Sequence, residues 1–293
     1  MELQGQVKEL QDKGIGLAVI SYDRPEIVAA FSRQRGITFP MLSDAGSATI
    51  KRYGILNPVP EMALGPGGDD PAVQALVRTY VSVGKASAMM VGMSFPGTFM
   101  LDRQGRVTSR FFEDFYIERN TMSSVMLRLG AGAAPVAASK ISTAHLDVTT
   151  YPSDPAIAPG NRVTVALDIV PKRGMHVYAP GASTYRIVTV TIAEQPFVRM
   201  LPVSYPGSEI YFFAPLDERV PVYQKPFTLL QEVIVEGSPQ AQAALKGKET
   251  LTLTGTLAYQ ACDDKICYNP VSVPLAWTMA LRPLVTQRPS PQP

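Results

Sequence analysis

Cys262 and Cys267 are the only cysteines in the 293-residue chain, and four residues separate them. A disulfide scaffold would carry many more cysteines, so two this close read as one pair. The local run is Leu257-Ala258-Tyr259-Gln260-Ala261-Cys262-Asp263-Asp264-Lys265-Ile266-Cys267-Tyr268-Asn269-Pro270, with β-type stretches on both sides. If those stretches pair, the cysteines face each other across a four-residue hairpin loop. Opposed residues of an antiparallel pair hold their Cα atoms about 4.5–5.5 Å apart. A disulfide accepts about 4.4–6.8 Å, so a bond needs no backbone movement. Two roles fit this spacing equally, a structural staple and an exchangeable redox pair. The staple would contribute only about 2 kcal/mol for so small a ring. Lys265 favours a nearby thiolate, whereas Asp263 and Asp264 oppose it. A zinc site would have to add His145 and His176, and neither histidine is local.

The elements that must position the pair differ between the two halves. Residues 1–130 alternate helix and strand patterns. Leu3, Val7 and Leu10 predict a helix over 2–12, ended by Gly14. Residues 16–21 read as a buried strand. Asp23 is expected to cap a second helix, with Pro25 just inside it and Ile27, Val28 and Phe31 on its apolar face. Residues 39–44 form a short strand, followed by a helix through Ile50 to Tyr53. A Pro/Gly-rich insertion fills 57–93. Residues 97–102 and 107–112 then form a hairpin around Gly105, and a last helix covers 120–129. This order predicts an α/β layer fold. A small, flexible linker follows over 131–140. Short β-runs separated by turn clusters occupy 141–282 and predict an antiparallel β-sandwich. The tail, 283–293, is expected to be disordered.

Composition excludes several classes. The chain is 46% hydrophobic and 18% charged, with a formal charge of +2, too weak a bias for a nucleic-acid partner. No stretch approaches the roughly 18 apolar residues of a membrane span. Met1-Glu2-Leu3-Gln4 is not the start of a signal peptide. Residues 65–70 lack the Lys-Ser or Lys-Thr of a phosphate loop and read as a surface turn. Ser21 and Asp23 have no nearby histidine, so no hydrolytic triad forms. Met89, Met90 and Met93 read as packing residues, Trp277 as sandwich core, His176 as packed and His145 as solvated.

The cysteine segment, with Val271-Ser272-Val273-Pro274-Leu275 after it, resembles the signature of the N-terminal periplasmic domain of DsbD, the transmembrane thiol–disulfide interchange reductase. Gly174-Met175-His176-Val177-Tyr178-Ala179-Pro180 and Val222-Tyr223 fit the same pattern. The resemblance covers about residues 141–280. It implies an immunoglobulin-like sandwich whose dithiol takes part in thiol–disulfide exchange. The implied partners are thioredoxin-like redox proteins or a membrane thiol–disulfide reductase, and the implied location is periplasmic or otherwise extracytoplasmic. Carried over, Cys267 forms the mixed disulfide and Cys262 resolves it. Tyr259 and Tyr268 support the loop. An aromatic cap loop would correspond to Tyr211-Phe212-Phe213. Asn269 departs from the family, which has a proline there. The resemblance implies no cofactor and no metal. The alternative reading is a non-catalytic interaction module with a structural disulfide.

Residues 1–130 resemble the thioredoxin-like peroxiredoxin (AhpC/TSA) superfamily. The matching pieces are Val19-Ile20-Ser21-Tyr22-Asp23, Phe39-Pro40-Met41-Leu42-Ser43-Asp44, Tyr53-Gly54-Ile55 and Phe95-Pro96-Gly97-Thr98-Phe99-Met100-Leu101-Asp102. The resemblance makes Pro96 a candidate cis-proline beside an active cysteine. That cysteine is missing, because residues 1–130 contain none. Peroxide reduction by this half has no nucleophile. The family places the cysteine at the start of the first long helix, and this chain begins inside that helix. The expectation is that a signal peptide, a strand and the cysteine motif lie upstream of a misplaced start; a degenerate domain kept for interaction is the other reading.

Overall fold

The structure, a computed structural model, describes residues 2–81, 85–112, 118–130, 138–213 and 217–283. Most of the expected linker and the tail from 284 lie outside these residues. The contact pattern divides the chain between Met122 and Ser123, and the two units are described separately.

The first unit is α/β. Helix α1 (Glu2–Asp12) ends at Gly14, whose φ of 71° lies where glycine has no steric penalty. Strand β1 (Val19–Ser21), helix α2 (Pro25–Gln34) and strand β2 (Met41–Ser43) form a βαβ unit, with the strands parallel and Ile20 opposite Leu42. The expected buried strand is only half buried, since Ile20 and Leu42 are both exposed. Among the described residues β1 and β2 pair only with each other, and the face that carries Ile20 and Leu42 is exposed. On α2, Val28 is buried while Ile27 and Phe31 are exposed. Asp23 does not cap α2, whose N-cap is Arg24. The Asp23 carboxylate instead accepts the Ser21 hydroxyl at 2.5 Å and is not directed at the helix amides.

The insertion is helical rather than irregular. After α3 (Ala48–Arg52) come α4 (Val59–Leu64) and α5 (Pro71–Tyr80), which enclose Val59, Val77 and Val81. Asn57 is buried where these helices meet. Its amide donates to the Tyr80 carbonyl (2.9 Å) and its side-chain oxygen accepts from the Val59 amide (3.0 Å). Asp70 caps α5 through Ala72 N at 2.7 Å. Met90 packs on this cluster, but Met89 is exposed because its turn directs it outward. Strands β3 (Gly97–Leu101) and β4 (Val107–Phe112) make the expected hairpin, and β5 (Arg119–Asn120) follows.

The second unit is a β-sandwich. Helix α6 (Met122–Arg128) is fastened to it by a buried Ser124–Thr164 hydroxyl pair at 2.7 Å. Glu232 also accepts from Arg128 (2.6 Å) and Arg162 (2.5 Å). One antiparallel sheet runs β12 (Val198–Ser204), β15 (Phe227–Val235), β9 (Asn161–Pro171), β7 (Leu146–Pro152), β6 (Ser139–Ser142). A second runs β11 (Thr189–Ile192), β16 (Thr250–Tyr259), β18 (Val271–Leu281), β8 (Ala156–Ile157). Strand alternation supplies the core. On β16, Leu251, Leu253, Leu257 and Tyr259 face inward while Thr250, Thr252 and Thr254 face water. Opposite them, Leu146, Val165 and Leu229 close the layer, with Trp277 between. A third sheet runs β13 (Glu209–Phe213), β14 (Glu218–Tyr223), β10 (His176–Tyr178), β17 (Ala261–Cys262). Helix α7 (Pro239–Leu245) is capped by the Ser238 hydroxyl, which accepts from Ala241 N at 3.2 Å.

Candidate functional site

The cysteines stand where the β16–β18 hairpin runs out. The ladder holds register as far as Tyr259↔Val271, and the next pairing is Cys262↔Cys267. Tyr268 N donates to Ala261 O at 2.9 Å, so one residue on the outgoing side faces two, Asn269 and Pro270, on the return. That is a β-bulge, and it falls where Pro270 has no N–H for the ladder. Gln260 spans the bulge with its amide on the Tyr268 carbonyl at 3.1 Å.

Beyond the bulge, β17 leaves β18 and pairs with β10, His176 against Cys262 and Val177 against Ala261. Alternation then decides what each side chain meets. Val177, Tyr223 and Ala261 turn into the main core. His176, Tyr178 and Cys262 turn to the opposite face, where Cys262 packs with Tyr178, Ala182, Val220 and Val222. Tyr185, Ile187 and Tyr211 complete that small cluster.

Cys262 and Cys267 are joined by a disulfide, with Cα atoms 4.1 Å apart. Their surroundings are unequal. Cys262 is 1% exposed, whereas Cys267 is an exposed residue on the loop. The Tyr178 hydroxyl lies 3.0 Å from Cys262 Sγ and 3.3 Å from Cys267 Sγ. The Tyr178 ring stacks on Tyr185 at 4.0 Å, with 2° between the planes. Tyr185 OH donates to Glu218 Oε2 at 2.7 Å. Burial first, then the neighbouring Tyr185 and the Glu218 charge, push the Tyr178 hydroxyl to hold its proton more tightly. Burial lowers the pKa of His176, partly offset by the charge of Asp263.

Asp263 shapes the loop. Its carboxylate accepts from Ile266 N and Lys265 N (2.8 Å each) and from Tyr268 OH (2.9 Å). These backbone bonds hold the Asp263 carboxyl below the usual carboxylate range. Its charge is therefore spent on closing the turn, with Lys265 beside it.

The other sequence-derived residues are distributed as follows. Tyr268 belongs to the loop, its hydroxyl on Asp263 and its ring 4.5 Å from His145. Tyr259 is fully buried in the main core, its hydroxyl 2.8 Å from Thr143 Oγ1, and faces away from the sulfur cluster. Of the aromatic triplet, Tyr211 reaches the site, with its ring 4.5 Å from His176. Phe212 alternates to the other face, is exposed, and sits under Arg219 at 5.0 Å. Phe213 is half-buried at the end of β13. Pro96 lies in the first unit, and there is no cis peptide bond among the described residues. The expected cis-proline is thus trans, the form a tertiary amide prefers by about 0.5–1 kcal/mol when nothing selects the other. His145 is not solvated. It is 9% exposed, wedged between Tyr268 and Tyr259 because the Thr143 turn folds back over the core.

Tyr185 and Glu218 carry no sequence signal, and Tyr178 stands in the sequence only as part of the 174–180 run that fits the family pattern, with no role of its own. The alternation His176-Val177-Tyr178 puts two aromatic rings on one face, but their pairing with a strand more than eighty residues away leaves no local signal. Among the described residues no group of three or more His, Cys, Asp or Glu could hold a metal ion. Among them, too, no helix is long and apolar enough to cross a membrane.

Two family matches divide the chain. Residues 1–110 match the AhpC/TSA family, and residues 147–273 match the N-terminal domain of the thiol:disulfide interchange protein DsbD. The chain thus carries an AhpC/TSA domain followed by a DsbD N-terminal-like domain. No cysteine lies within the first of them. No curated protein matches the chain. Among solved structures it is similar to the N-terminal periplasmic domain of ScsB from Proteus mirabilis (15% identity, TM-score 0.35, 47% of this chain and 49% of that one). The chain therefore spans about half the length of that solved domain. The reduced DsbD N-terminal domain of Neisseria meningitidis follows (17% identity, TM-score 0.26, 40% of this chain and 80% of that one). The GAE domain of GGA2p from Saccharomyces cerevisiae is similar as well (6% identity, TM-score 0.27, 49% and 96%).

Proposed function

We propose that the β-sandwich is a thiol–disulfide interchange domain and that Cys262 and Cys267 are its working pair. The observation that carries this reading is the asymmetry of the disulfide, with one sulfur buried under aromatic rings and the other on an exposed loop. A partner thiolate attacks Cys267 and forms the mixed disulfide there. The electron pair of the broken bond goes to Cys262 Sγ, which the Tyr178 hydroxyl can hydrogen-bond. Burial closes Cys262 to a partner thiolate, so in both directions the partner sulfur exchanges at Cys267, and the Tyr178 hydroxyl offsets the cost of the charge that reaches the buried Cys262 sulfur.

The match to the DsbD N-terminal family supports this reading, as does the loop's small ring. A staple of that size would contribute only about 2 kcal/mol. The proposed partners are thioredoxin-like proteins or a membrane thiol–disulfide reductase, in an extracytoplasmic compartment. The AhpC/TSA region has no thiol of its own and acts at most as a partner-positioning domain. When the purified oxidised chain is mixed with a reduced thioredoxin-like donor, the Cys262–Cys267 disulfide should open within minutes, followed by intact mass after thiol alkylation. A Cys267→Ser protein that kept full exchange activity would refute the proposal.

A further inference from the structure

We propose that the stretch from Ile266 to Asn269 is an open sheet edge on which a redox partner lays an extended segment of its own backbone, hydrogen-bonded to Cys267 and Asn269, while its sulfur bonds Cys267. The inference rests on the exchange reading above and adds how the partner is held. Cys262 and Cys267 face each other as a bridge pair, with Cα atoms 4.1 Å apart. The hydrogen bonds that frame them belong to their neighbours. Asp263 N donates to Ile266 O at 3.0 Å, and Tyr268 N donates to Ala261 O at 2.9 Å. This is the non-hydrogen-bonded pair of an antiparallel ladder, in which the two opposed residues aim their own N–H and C=O away from each other. Cys262 aims these groups at β10, where it stands opposite His176. Cys267 aims them outward, and they have no partner among the described residues. Tyr268 turns inward, its N–H on Ala261 and its C=O on the Gln260 amide at 3.1 Å. By alternation Asn269 faces out again, and its backbone groups also lack a partner among the described residues. Both residues are exposed.

The chemistry itself brings a backbone to this edge. A disulfide holds its two Cα atoms about 4.4–6.8 Å apart. Neighbouring strands lie about 4.7–4.9 Å apart. A partner cysteine bonded to Cys267 from the open side therefore carries its own chain at the distance where strands pair. The opposite side is closed, because Cys262 and β17 occupy it. Main-chain bonds supply the grip, so the occupant is an extended segment beside the partner's cysteine rather than one particular side chain. The paired stretch stays short, since Pro270 has no N–H to continue it. A proline at 269, as in the family this loop resembles, would remove one of the two donors, and Asn269 keeps it. The covalent step is the one given above. The partner thiolate bonds Cys267 Sγ, the Cys262–Cys267 bond breaks, and its electron pair goes to Cys262 Sγ. The edge bonds orient this step and add no atom or electron to it.

The test uses the full chain carrying Cys262→Ala, trapped as its mixed disulfide with a thioredoxin-like protein that keeps one active-site cysteine. Amide hydrogen exchange is read residue by residue and compared with the mixed disulfide to mercaptoethanol, which has no backbone. Exchange at Cys267 and Asn269 should be slower by about tenfold or more in the protein adduct. Equal exchange in the two adducts would overturn the proposal, since the partner would then be held by sulfur alone. Opening of the disulfide gives a second reading in chains that keep both cysteines. Asn269→Pro deletes an edge N–H, and Asn269→Ala retains it. With a reduced thioredoxin-like donor, the alanine variant should react about fivefold faster than the proline variant. With dithiothreitol the two should react alike. The same ratio with both reagents, whatever its size, would overturn the edge, because dithiothreitol has no main chain to pair. A wild-type disulfide that neither reagent opens would sink the exchange reading itself, a failure separate from these.

Discussion

A Cys262→Ala protein is expected to stop exchange half-way and accumulate a covalent adduct with its partner. Its one remaining thiol, Cys267, sits on the exposed loop. With a partner that keeps a single active-site cysteine, the mixed disulfide formed there has no second sulfur on either protein to release it. A Cys267→Ala protein keeps only the Cys262 thiol, which is 1% exposed beneath Tyr178 and the Val220–Val222 strand. Its adduct should form more slowly by roughly tenfold or more, since both thiolate character and access fall on burial. Mixing each single-cysteine protein with a thioredoxin-like protein that keeps one active-site cysteine, activated as its mixed disulfide with thionitrobenzoate, and reading non-reducing gels over time measures this ratio. Equal adduct formation would remove the basis for assigning the two sulfurs different roles.

Truncating Trp277 to alanine should produce the largest loss of stability of any single change in the sandwich. The ring is 2% exposed at the centre of β18, and its Nε1 donates to Thr150 Oγ1 at 2.7 Å. Thr150 in turn donates to the Ala166 carbonyl at 2.8 Å, so the indole joins the two main sheets. Emptying such a site costs about 3–5 kcal/mol from transfer and cavity effects together. Urea unfolding followed by far-ultraviolet circular dichroism would show the loss as a lower midpoint. Ile266→Ala on the exposed cysteine loop is the control, with an expected change within about 0.5 kcal/mol. A Trp277→Ala midpoint indistinguishable from that control would contradict the packing described for this core.

Much of this arrangement can be read from the chain itself. Alternation on β16, with Leu251, Leu253 and Leu257 against Thr250, Thr252 and Thr254, marks a half-buried strand without any coordinates. The hairpin around Gly105 and the facing of Cys262 and Cys267 follow from equally local rules. What the chain conceals is long-range. Tyr178 lies against the sulfurs only because β10 inserts between β14 and β17, a choice made by sheet topology rather than by neighbouring residues. Glu218 joins them through a hairpin whose alternation carries Tyr211 toward the cluster and Phe212 away from it. His145 is buried because a turn three residues long folds it over Tyr259, although nothing in its local sequence is apolar enough to say so. Ile20 and Leu42 err in the other direction. Their apolar runs promise a buried strand, but burial depends on what packs against the face they share.

The AhpC/TSA and DsbD N-terminal-like regions have different chemical means in this chain. Within residues 1–110 the βαβ unit and the hairpin are present without a thiol. Within 147–273 the pair of sulfurs is held by a bulge at Asn269–Pro270, an Asp263-closed turn and a hydrogen-bonding tyrosine. Only the second assembly has the groups that thiol–disulfide exchange needs.

The reduction potential of the Cys262–Cys267 disulfide tests this most directly. The oxidised chain would be equilibrated against a graded series of reduced and oxidised dithiol buffers, and the fraction reduced read by alkylation and mass. An exchange pair on an exposed loop should titrate above about −300 mV, within reach of thioredoxin-like donors, whereas structural disulfides lie below about −300 mV. A midpoint in the lower range would identify the bond as a staple and contradict the account given for this site.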